Sequence, residues 1–188
     1  MRRIRSKWRN KGRAVALEDN AVALGAVVWR IALNAAKNLH AEDFVYDDDA
    51  QRVGVIQEYL AFLVHLADRL AHGQMAQEQR ERFISSLGLD VARRLHQNQL
   101  EIMGTGDHRE QFVAVLNARA DEYAGTQFTA QGPGYQALRA FGHNVQRVMG
   151  HGQTNRWAID QVMEIDAPEA VTQIRQAMAN LLRTSKTV

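Results

Sequence analysis

Apolar residues along this chain recur at helical spacing almost throughout and never run in clean alternation. Between residues 50 and 72, Tyr59, Phe62, Leu63, Leu66 and Leu70 fall at i, i+3, i+4, i+7 and i+11, which places one core-facing stripe on a helix. Gly73 suits its C-terminal stop. One aspartate of the preceding run, Asp47, Asp48 or Asp49, is expected to cap its start, where a carboxylate meets the positive end of the helix. Residues 17–39 read differently. Val22, Leu24, Val27, Val28, Trp29, Ile31, Leu33 and Leu39 cover most of the circumference and leave Arg30, Asn34 and Lys37 as a narrow polar stripe. A helix apolar nearly all round is central in its fold or shared with a second subunit.

The rest of the pattern continues in helices. A charged stretch at 77–82 leads to Phe83, Ile84 and Leu87, and Gly88 with Asp90 predicts a break before a further helix ending near Met103. Gly104, Thr105 and Gly106 make a loop, and Asp107 with Glu110 predicts a capping arrangement for a helix carrying Phe112, Leu116 and Tyr123. The longest loop runs from Gly125 to Gly134, with a strong turn signal at Gln131-Gly132-Pro133-Gly134. Residues 135–149 and 154–165 read as helices. Asp166-Ala167-Pro168-Glu169 then predicts a capped start for a last helix lined by Val171, Ile174, Met178 and Leu181. The expected fold class is therefore all-α: a single-domain multi-helix bundle or orthogonal array of about seven or eight helices. Residues 1–16 form a separate basic arm, 17–184 the helical domain and 185–188 a frayed tail.

Composition narrows the chemistry. The chain of 188 residues has no cysteine, which excludes zinc ribbons, Cys-ligated iron–sulfur clusters and thiol catalysis. The basic start does not read as a signal peptide, because Glu18, Asp19 and Asn20 precede any apolar stretch. Residues 21–39 are long enough to span a bilayer, but Arg30 sits near their middle. A central Arg costs about 2.5–3.5 kcal/mol on insertion scales. No transmembrane segment is expected, and the location inferred is cytoplasmic. Charge is unevenly placed. Arg2, Arg3, Arg5, Lys7, Arg9, Lys11 and Arg13 put +7 in thirteen residues, against +2 for the whole chain, so the remainder carries −5.

That arm is the first candidate site. From Arg3 to Arg13 a cation occupies every second position, so an extended arm projects six charges from one side and Ile4 and Trp8 from the other. Such an arm suits a phosphate backbone, with Trp8 stacking on a base. It equally suits an anionic membrane surface, a solvated terminus, or docking on the acidic run Glu42, Asp43, Asp47, Asp48 and Asp49. The second candidate is a metal site at His65, Asp68 and His72, with Glu58 on the same flank of the helix. No Glu-x-x-His occurs, which argues against a di-iron bundle, and Arg69 on that flank makes it a water-facing surface. The third comprises His151 between Gly150 and Gly152, and His108 and Arg109 after the Gly104 loop, as faint anion sites at helix starts. No Walker loop, nucleophile elbow or zinc-protease motif is present. No catalytic residue and no cofactor is assigned.

The function read from these features is a non-enzymatic helical interaction or assembly protein, expected to be a homodimer with Ala26, Trp29 and Leu33 near the shared surface. Nucleic-acid binding through the arm is the alternative, and a small metal-binding or enzymatic bundle the second alternative.

Overall fold

A computed structural model describes residues 16–150, 152 and 154–185. The basic arm and His151 lie outside the described residues. Six helices of fifteen residues or more build an all-α bundle: α1 (Leu17–Ala41), α2 (Asp49–Ala71), α3 (Gln77–Met103), α4 (His108–Ala124), α5 (Tyr135–Met149) and α7 (Ala167–Ser185). A one-turn helix α6 (Ala158–Gln161) precedes α7. The long α4–α5 connection holds a two-residue antiparallel hairpin, β1 (Phe128–Thr129) on β2 (Gly132–Pro133). Among the described residues, no helix is long and apolar enough to cross a membrane.

Several boundaries follow local chemistry. Asp48 caps α2 by accepting from Gln51 N at 2.7 Å, and the Gln51 side chain accepts in return from Asp47 N at 2.7 Å. Gly73, Gly104 and Gly150 take positive φ just past the ends of α2, α3 and α5, a conformation that favours glycine.

Six long helices are fewer than seven or eight, for two reasons. Gly88 does not break α3: Phe83, Leu87, Val91 and Leu95 are all fully buried, and this burial outweighs the roughly 1 kcal/mol that an interior glycine costs a helix. Asp166 does not cap a new helix either. A π turn over Val162–Asp166 carries α6 directly into α7, just ahead of Pro168, which has no N–H to donate to the ladder. Asp107 also makes no side-chain cap for α4; instead, His108 Nε2 lies 2.9 Å from Gly104 O.

The buried apolar residues form one cluster. Its centre is α2, which packs against α1, α3, α4, α5 and α7. The centre is therefore not available to α1, which lies mainly on α3 and touches α2 and α7. Helix α1 buries Leu24, Val28, Ile31 and Leu39 inward and leaves Val22, Ala26, Arg30 and Lys37 exposed. Its approach to α3 is close at Gly25, where a Cβ would overlap the buried Asp90 carboxylate. Asp90 is neutralised within its own helix by Arg93 and Arg94, at 2.5 and 2.6 Å.

Candidate functional site

A cleft of about 540 Å³ opens between the C-terminal half of α1, the start of α2 and the end of α3. Its floor is apolar: Leu33 and Ala36 from α1, Ile56 from α2 and Ile102 from α3. Its rim is charged, with Lys37 and His40 from α1 and Asp48, Asp49 and Arg52 from α2. Tyr46 closes one side, donating its hydroxyl to Ala36 O at 2.7 Å while its ring stacks on His40. Burial pushes that phenol well above its ordinary range. The side-chain oxygen of Asn98 lies against the cleft, shielded from solvent and without a hydrogen-bond partner. The cleft thus sets an apolar base within a rim of charged side chains.

Of the predicted interface residues, Leu33 reaches this cleft. Ala26 is exposed, while Trp29 and Leu33 are half-buried against the core from the outer side of α1, and Leu33 itself lines the cleft.

The residues of the predicted metal flank go to different partners. Glu58, expected to face water, is buried and held by Arg119 in a two-pronged pair, Nε and Nη2 each 2.7 Å from a carboxylate oxygen. The helical wheel of α2 alone misleads here, because α4 covers that flank. His65 rests against the Tyr123 ring, centroids 5.1 Å apart. Asp68 pairs with Arg80 at 3.4 Å, and His72 is exposed at the end of α2. Among the described residues, no group of three or more His, Asp and Glu side chains is placed to hold a metal ion. At the other faint site, His108 is buried and Arg109 exposed, so the two do not converge. The nucleic-acid candidates Arg2, Arg3, Arg5, Lys7, Trp8, Arg9, Lys11 and Arg13 all lie outside the described residues.

Two polar groupings, one partly and one fully inside the fold, were not visible in the sequence. In one, Arg119 also meets Glu122 at 3.2 Å, Asn144 donates to Glu122 at 2.8 Å, and Arg147 donates to Asn144 at 3.0 Å. The Tyr123 hydroxyl beside them is buried, and burial pushes its ionisation well up, against the lowering effect of Asn144. In the other, Tyr59 donates to Asp166 at 2.5 Å in the core. Burial raises the Asp166 carboxyl above its usual range, against the lowering effect of the Tyr59 hydroxyl. Both groupings are closely packed and satisfy internal charge. The i, i+3 pairs Arg119–Glu122 and Asn144–Arg147 were their local traces in the sequence.

His65 gives the fold a pH signature. Burial, with Arg69 adding to it and Asp68 opposing, depresses its pKa from 6.5 to about 4. Between those values the unfolded chain binds a proton that the folded chain refuses, so stability falls as pH drops through this window and levels off below it. His65→Leu removes this contribution. Urea unfolding of both proteins at steps from about pH 7 to about pH 4 will show the variant gaining on the parent as pH falls. A gap that stays constant across the window refutes the assignment.

No protein-family model, curated protein or solved structure matches the chain.

Proposed function

We propose that this protein is a non-enzymatic helical assembly protein that pairs with a second copy of itself across the outer face of α1 and the adjoining cleft. The observation that carries this reading is that Ala26, Trp29 and Leu33 share one outer face of α1, flanked by exposed Arg30 and Lys37, and that Leu33 leads onto the apolar cleft floor. Ala26 lets a partner backbone approach, Trp29 offers an aromatic anchor, and Leu33 joins the two surfaces.

Charge supports the same reading. A two-fold interface must be complementary to itself. The cleft rim carries both signs, Lys37 and Arg52 beside Asp48 and Asp49, a mixture that two copies related by a two-fold axis can pair. An intracellular assembly role in the cytoplasm is part of the same proposal.

Sedimentation equilibrium at micromolar concentration tests it. The expected mass is twice that of one chain, and Trp29→Glu or Leu33→Glu is expected to weaken association at least tenfold with helical circular dichroism unchanged. A parent protein that sediments as one chain throughout the micromolar range overturns the proposal.

A further inference from the structure

Five arginines are half-buried among the described residues: Arg69, Arg80, Arg94, Arg119 and Arg175. Three of them face carboxylates, Arg80 on Asp68, Arg94 on Asp90 and Arg119 on Glu58. The other two, Arg69 and Arg175, have no carboxylate partner among the described residues, and both open onto the same cavity. A half-buried guanidinium without a carboxylate is well placed to take an anionic ligand, and here two line one cavity.

We propose that this cavity is a binding site for a small organic carboxylate with an apolar body, its anionic head held between Arg69 and Arg175. The cavity has a volume of about 330 Å³ and lies between the end of α2, the β1–β2 hairpin and α7. None of its lining residues is acidic. Leu70, Phe128 and Met178 supply apolar walls, and Thr129 a hydroxyl at the rim. That mix selects against a bare inorganic anion, which would leave the walls wet and unused.

The two guanidinium groups are positioned by different means. Arg69 lies over the Phe128 ring, 5.5 Å from its centroid, and this contact holds the cation without consuming its N–H donors. Arg175 donates through Nη2 to Ala130 O at 2.8 Å, which fixes it to the hairpin. Its Nε is shielded from solvent and has no partner, so the group is under-satisfied as it stands. A carboxylate takes two parallel N–H bonds from a planar guanidinium, and this geometry favours arginine over lysine at such a site. The site shares no residue with the α1 cleft and stands independently of the pairing proposed above.

Titration calorimetry of the full chain tests the site, with benzoate as probe, benzyl alcohol as its uncharged counterpart and inorganic phosphate as the bare anion. Benzoate is expected to bind one per chain and saturably, at least tenfold more tightly than either control. Arg69→Met keeps the alkyl stem and the hairpin bond of Arg175, and is expected to weaken benzoate at least tenfold. Amide shifts in a benzoate titration are expected to centre on Phe128, Thr129 and Ala130. Arg175→Met is expected to act in the same direction; should it loosen the hairpin, Arg69→Met decides alone. Absence of saturable benzoate binding, equal binding by Arg69→Met, or phosphate binding as tightly as benzoate each overturns the proposal.

Discussion

Arg119→Met is expected to lower the unfolding free energy by about 3–5 kcal/mol, the usual consequence of removing one partner from a buried ion pair. The Arg119 side chain is 14% exposed and that of Glu58 6%, so neither charge has water to fall back on. Without the guanidinium, the Glu58 carboxylate is left in the interior with no donor. Glu122 loses its contact with Arg119 as well and keeps only Asn144. The double variant Glu58→Gln with Arg119→Met is expected to recover a large part of the loss, because the uncompensated charge has gone. Urea unfolding followed by circular dichroism measures both. A single-variant loss below about 1 kcal/mol would place the pair in the class of solvated surface bridges and contradict its burial.

Phe62→Ala is the second large effect, at about 3–5 kcal/mol. Phe62 is fully buried on α2 and stacks on Phe141 of α5, centroids 4.1 Å apart with the planes 5° from parallel. It also meets Tyr123 of α4 edge-on at 5.8 Å, and Phe141 meets Tyr59 edge-on at 4.9 Å. These rings join three helices, so truncation at Phe62 opens a void that no single neighbour can fill. Phe62→Leu, which keeps most of the volume, is expected to cost less than half as much. Thermal and urea unfolding will rank the two. Equal losses would mean that ring stacking, rather than filled volume, dominates at this position.

The sequence made the helices legible where their signals are local. The aspartate cap of α2 and the glycine stops after α2, α3 and α5 depend on a few neighbouring residues, and the structure carries them. At Gly88 and Asp166 local signals are overridden by the rest of the fold. At Gly88, flanking leucine, valine and phenylalanine side chains are buried by other helices, and tertiary packing holds the helix through the glycine. At Asp166 the competing partner is Tyr59, 107 residues away along the chain, a distance over which no spacing rule operates. The same limit hid the Glu58 partner, since the wheel of α2 shows which residues share a flank but not that α4 covers it. The carboxylate site is the extreme case. Arg69 and Arg175 lie on different helices far apart in the chain, and each alone reads as an ordinary surface cation. Helix α1 itself was legible because its apolar spacing is a property of one segment.

Asn155 ties Val45 to a segment 110 residues further along the chain. Its carboxamide oxygen accepts from Val45 N at 3.1 Å, and its nitrogen donates to Val45 O at 2.9 Å and to Met149 O at 2.8 Å. One side chain thereby closes a ring of 110 residues and satisfies three main-chain groups at once. Aspartate at this position would offer no donor, leucine no polar atom, and glutamine an extra methylene in a buried space. In a chain without cysteine, this amide is a non-covalent clasp whose strength does not depend on the redox state of its surroundings. The chemical alphabet open to position 155 is correspondingly close to a single letter.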